Sequence, residues 1–146
     1  MKKQLIRIAA LTLFVTTFAV TLQAQNSSSN QMVTIPFDFF VGADKLPAGA
    51  YTLRAEDSRT AMKIQLRDQS SGRYFLIHPI ESPSIQDRSK LVFHKYGNDY
   101  FLSQVWTAGR ATGEELNKTK SQQRLERELA NQAGKPESVA ITMRAN

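Results

Sequence analysis

The sequence predicts a mainly β fold, an antiparallel sandwich or small barrel of about seven strands with one C-terminal helix before the last strand. Three observations predict it. Apolar residues recur at every second position in short runs, turn residues separate those runs about every ten residues, and one late stretch switches to helical spacing.

The first run has Val33, Ile35, Phe37, Phe39 and Val41 on one parity and Thr34, Pro36 and Asp38 on the other, the pattern of a half-buried strand. Pro36 cannot donate to a ladder, so this strand is expected at a sheet edge or with a bulge there. Gly42-Ala43-Asp44-Lys45 turns the chain, and Leu46-Pro47-Ala48-Gly49 leads into a second strand over 50–54 with Tyr51 and Leu53 facing in. Met62, Ile64 and Leu66 alternate with Lys63, Gln65 and Arg67, giving a third strand with one wet face. Tyr74-Phe75-Leu76-Ile77 is apolar on both parities, which predicts a central strand or one covered on its second face. After a polar segment over 81–89, Gly97-Asn98-Asp99 separates two runs, 90–96 and 100–106, as a hairpin. Gly109 and Gly113 then interrupt the β pattern.

Thr119-Lys120-Ser121-Gln122 fits a capping box, the Thr hydroxyl accepting from Gln122 N–H and the Gln side chain reaching back. The helix that follows carries Leu125, Leu129 and Ala133 on a narrow stripe, packs by one edge, and stops at Gly134 and Pro136. Val139, Ile141 and Met143 supply the last strand.

The N-terminus reads differently. Lys2, Lys3 and Arg7 precede an apolar run from Ile8 to Val20, and Thr21-Leu22-Gln23-Ala24 follows, the three parts of a bacterial secretory signal. Residues 1–24 are therefore expected to be a cleaved signal peptide, 25–31 a flexible tether and 32–146 a single β-rich domain, with the protein exported to the periplasm or beyond. The apolar run is too short and too rich in threonine for a membrane span, which needs about 20 apolar residues, so no transmembrane segment is expected after cleavage. Removing that signal lowers the formal charge from +6 to +3, an ordinary value that does not point to nucleic acid. With no cysteine, disulfides, thiolate metal sites and cysteine nucleophiles are excluded.

Val33-Thr34-Ile35-Pro36-Phe37-Asp38-Phe39 with Val41-Gly42, Leu46-Pro47-Ala48-Gly49-Ala50-Tyr51, the runs 91–93 and 100–106, and Gly113-Glu114-Glu115-Leu116 with Leu129-Ala130 resemble a family of short exported bacterial β-proteins of unassigned activity. These motifs are glycine turns and aromatic strand positions, so the resemblance implies a fold and no chemistry.

No residue meets the requirements of a catalytic, cofactor or metal site. His78 and His94, both on predicted strands, could pair with Glu81 or Asp87 for acid–base work or metal binding, but their spacing matches no ligand motif. No Gly-x-Ser-x-Gly elbow exists, and Ser103, the one serine with aromatic neighbours, is read as a strand residue. Asp38, Glu56, Asp57, Glu81, Asp87, Glu114 and Glu115 are the carboxylates from which a glycosidase pair would come, with Glu114 and Glu115 expected just ahead of the helix, where its dipole favours them. The strand aromatics fill a sandwich core, or line a cavity for a lipid or other apolar ligand if the sheet closes into a barrel. Phe40, on the polar parity, suggests a partly exposed contact surface. The expected function is a non-enzymatic exported domain that binds or serves as an envelope or extracellular accessory; an apolar-ligand carrier and a secreted hydrolase are the alternatives.

Overall fold

The computed structural model describes residues 30–56, 60–133 and 135–145. The segment read as a signal peptide, residues 25–29 of the tether, and Asp57 lie outside them.

Among the described residues eleven short strands and one helix follow in order: β1 (Gln31–Ile35), β2 (Phe39–Val41), β3 (Asp44–Leu46), β4 (Gly49–Ala55), β5 (Ala61–Leu66), β6 (Gly72–Glu81), β7 (Lys90–Tyr96), β8 (Asp99–Trp106), β9 (Thr112–Leu116), α1 (Lys120–Ala133), β10 (Glu137–Thr142) and β11 (Arg144–Ala145). The fold is mainly β, with the helix before the last strands, as the sequence pattern predicts. The greater number of strands comes from breaks and short additions. β1 pairs with β4 along its whole length but with β11 only at Gln31 and Met32, so its end before Pro36 is a sheet edge, and at Pro36 the chain leaves it and crosses to the other half of the fold as β2. The stretch around Gly113, where the β pattern fades, is nevertheless β9, held between β6 and β8.

The hydrogen-bonded path runs β10-β7-β8-β9-β6-β5-β4-β1-β11, antiparallel throughout, while a single parallel pairing of Phe40 with Phe101 attaches β2 to β8. Two segments bridge the halves. The start of β6 pairs with β5 and its end pairs with β9. Likewise β10 pairs with β7, and one residue later β11 pairs with β1, so the path begins and ends on the same stretch of chain. The result is a sandwich of two half-sheets with barrel-like continuity.

The period of two decides what lies between the halves. Val33, Ile35, Phe39, Tyr51, Leu53, Ile64, Ile77, Leu91, Phe93, Leu102 and Val105 belong to one buried cluster. Its aromatic members lock edge to face, Phe39 against both Tyr51 and Phe93 at centroid separations of 5.2 and 5.5 Å. Interior aromatics therefore fill the core. Tyr51 also donates its hydroxyl to Pro47 O at 2.6 Å, which ties the β3–β4 turn to the interior.

Candidate functional site

The two outer faces of this sandwich differ in what covers them among the described residues.

The outer face of β7 and β8 is covered. A register shift between Val92 and Phe93 leaves three consecutive buried residues on β7, Leu91, Val92 and Phe93, of which Val92 lies outside the central cluster. Tyr96, Phe101 and Trp106 are likewise buried yet separate from that cluster, forming a second layer. Phe40 of β2 stacks on Phe101 at 4.9 Å, so the aromatic on the polar parity is a half-buried wall of this layer. Trp106 donates its indole N–H to Gln104 at 3.0 Å and lies across the ladder from Gly113.

Helix α1 packs against β7 with a polar inner face. Gln122 and Glu126 are 3% and 6% exposed, deeper than Leu125 and Leu129. Lys118 donates to Glu126 Oε2 at 2.6 Å and Gln122 Nε2 donates to Oε1 at 2.9 Å, so both carboxylate oxygens are held by groups spaced four residues apart. The cap is present, with Gln122 N–H donating to Thr119 Oγ1 at 3.2 Å, while the Gln122 side-chain amide donates to Glu126. Beside this pair an open groove of about 430 Å³ is lined by Tyr96, Lys118, Gln123, Glu126, Arg127 and Ala130.

His94 faces this layer. Burial holds its imidazole below the usual histidine value, the Lys118 charge adds to that, and Glu126 and Glu115 oppose it. Tyr96 is raised, first by burial and then by the Glu126 charge, with Lys118 acting the other way. The buried His94 Nδ1 and Ser103 Oγ have no hydrogen-bond partner, and hence are not bonded to each other. The contact a serine nucleophile needs with its base is not made here.

Among the described residues no element covers the outer face of β11-β1-β4-β5-β6. On β6 the inward parity is Phe75 and Ile77, while Tyr74 and Leu76 point out and are 64% and 59% exposed. The register places Arg54, Lys63 and Tyr74 side by side across three strands, with Lys63 Nζ 5.6 Å from the Tyr74 ring centroid. Arg67, just past β5, and Arg144 of β11 extend the same parity. Among the described residues none of these four cations has an ion pair. The ion-paired carboxylates, Asp38, Asp44, Glu115, Glu126 and Glu137, all sit elsewhere.

No family model, curated protein or solved structure matches this chain.

The predicted candidates are therefore placed by geometry alone. Both histidines are on strands, but neither is hydrogen-bonded to or ion-paired with Glu81 or Asp87. His78 is exposed on β6 and bridges Asn117 Oδ1 at 2.7 Å and Glu115 Oε2 at 3.1 Å. Glu114 and Glu115 do not lie at a helix N-terminus: both are in β9, where Glu115 faces His78 and burial raises Glu114, with Arg110 partly opposing it. Asp38 accepts from Ala48 N–H at 2.9 Å and stabilises the turn after β3. Among the described residues no group of three His, Cys, Asp or Glu could hold a metal ion, and no helix is long and apolar enough to cross a membrane.

Two features escape the sequence reading. Lys118, Gln122 and Glu126 have a readable signal, a row at intervals of four that continues the leucine stripe, although polar residues there are ordinarily assigned to water. The cationic face was also within reach, because Arg54, Lys63 and Arg67 occupy the outward parity of two predicted strands; what the pattern lacks is the register that sets those strands side by side.

Proposed function

We propose that this chain is an exported, non-enzymatic β-domain that acts by binding, as an envelope or extracellular accessory, through the uncovered face of β11-β1-β4-β5-β6. The observation that carries this reading is the exposure of Tyr74 and Leu76 on a central strand amid four cations without carboxylate partners. A central strand with an apolar outward parity is ordinarily covered, so leaving it open supports a partner outside the chain. The reading as a carrier of an apolar ligand draws less support, since Phe39, Phe93, Leu53, Ile64 and Leu102 occupy the space between the half-sheets.

The double substitution Tyr74→Ser with Leu76→Ser tests whether the face is free. Surface changes of this kind stay within about 0.5 kcal/mol, so urea unfolding should return an unchanged midpoint and slope. A loss above about 2 kcal/mol, the scale of a core truncation, would mean that the chain itself covers these residues. Native mass spectrometry separates the carrier reading, because one apolar ligand per chain would establish it. An ester or polysaccharide hydrolysis that vanished in His94→Ala would establish an enzyme instead.

A further inference from the structure

The uncovered face combines features that restrict what can occupy it. We infer that its ligand is an anionic polysaccharide, a polymer with a carboxylate on its sugar rings; this rests on the reading of that face as the binding surface.

The first step concerns charge. Arg54 and Lys63 are direct cross-strand partners, which places their Cβ atoms about 5 Å apart, and like charges so placed destabilise a sheet pair. A carboxylate paired with them would relieve this, yet the neighbouring outward positions hold Thr52, Gln65, Ala61, Tyr74 and Leu76, and Glu56 two residues past Arg54 makes no ion pair with either cation. Asp68 follows the end of β5 and is not ion-paired with these cations either. Arg67 lies four residues along from Lys63, about 13 Å on an extended strand, and Arg144 lies two strands from Thr52. The cations thus span the face as separated points. An extended polyanion meets such an array better than one compact anion does.

The second step concerns the ring. Tyr74 stands in the same row as Arg54 and Lys63, with the Lys63 ammonium near its ring. When a carboxylate draws the ammonium away, that ring is left to pack against the C–H face of a sugar, while the cations hold the acid group by charge-assisted hydrogen bonds.

The other occupants fit less well. A protein interface keeps charge away from its centre and concentrates it at the rim, whereas Arg54 and Lys63 sit on the middle strands. Single-stranded nucleic acid stacks successive bases on several rings, and among the described residues Tyr74 is the one exposed aromatic ring on this face. A membrane-surface element needs a broad apolar face to enter the headgroup boundary, and among the described residues of this face Tyr74 and Leu76 are the two large exposed apolar side chains.

Affinity electrophoresis of the purified protein in gels containing polygalacturonate, with neutral dextran as control, tests the inference. Retardation by polygalacturonate alone is expected, and it should weaken as salt is raised. Arg54→Glu with Lys63→Glu should weaken it by at least about tenfold, the size expected for losing charge-assisted contacts. Tyr74→Ala should weaken it severalfold with the salt dependence unchanged. Lys120→Glu with Arg124→Glu, on the exposed side of α1, should have little effect. The inference is overturned if polygalacturonate causes no retardation, if dextran retards equally, or if the α1 variant loses as much as the face variant. Tighter co-sedimentation with phosphatidylglycerol vesicles than with the polymer overturns it in favour of a lipid surface. Failure of any of these with Tyr74→Ser/Leu76→Ser still neutral to stability removes the ligand class and leaves the open face standing. Destabilisation of that double variant removes the face itself.

Discussion

Gly113 shows how closely one residue can be specified by its neighbour. A Cβ placed there would lie 2.5 Å from the Trp106 ring, which covers the glycine across the ladder. Since Trp106 is buried, the ring has little room to give way. Gly113→Ala is expected to cost about 1–3 kcal/mol, as overpacking does, and Trp106→Ala about 3–5 kcal/mol, as large aromatic truncations do. A double-mutant cycle by urea unfolding checks the mechanism: with Trp106 already removed, the Gly113 substitution should cost little. His94 supplies a pH signature at the same scale. Its folded value lies below 6.5, chiefly through burial, so below about pH 6.5 the unfolded chain binds the proton more readily. The contribution is complete above that pH and is lost as pH falls toward the folded value. Glu114, raised by burial, has the opposite sign, losing stability as pH rises through its folded value. Urea unfolding at several pH values from 4 to 8 should therefore show His94→Gln gaining on the parent chain as the solution is acidified; a constant difference would contradict this assignment.

Among the elements, α1 is where sequence and structure part most instructively. Its existence, cap and end were legible because Thr119, Gly134 and Pro136 punctuate a helical spacing. Its inner face was not, because Gln122 and Glu126 lie deeper than Leu125 and Leu129. Polar side chains turn inward here because Lys118 precedes the helix at the spacing that lets it meet Glu126. Removing Glu126 leaves the buried Gln122 amide without its acceptor, so Glu126→Ala should cost about 1–3 kcal/mol, while Glu126→Gln, which retains an acceptor for Gln122, should cost less. Equal losses in the two variants by urea unfolding would show that charge, and not hydrogen bonding, is what the interface requires. The strands tell a complementary story. β4 and β5 were legible from alternation and β7 and β8 from the hairpin turn between two apolar runs, while β3 and β9 were not, since Asp44-Lys45-Leu46 and Thr112-Gly113-Glu114 offer no apolar parity. Those two exist through their ladder partners, which no local pattern encodes.

At the scale of the molecule, the pattern predicted the class but could not decide between a sandwich and a barrel, and the reason lies in the last residues. Val139, Ile141 and Met143 read as one strand, yet Thr142 ends the pairing with β7 and Arg144 begins the pairing with β1. Closure therefore depends on a switch of partner across Met143. That residue is buried against the central cluster, and its N–H donates to Ser89 O at 2.8 Å, which fixes the point of crossing. A chain ending at Thr142 would retain β10 but lose both the Met143 anchor and the partner of β1 at Gln31 and Met32. Loss of the Met side chain alone is worth about 2–5 kcal/mol, and the bared end of β1 offers unpaired backbone to a second chain. Such a truncation should lower the urea midpoint and shift part of the protein to dimers or larger species in size-exclusion chromatography. Met143→Ala, which keeps the β11 ladder, should lower the midpoint and remain monomeric. If both variants associate equally, the exposed core and not the strand edge drives association, and the partner switch at Met143 would serve packing alone.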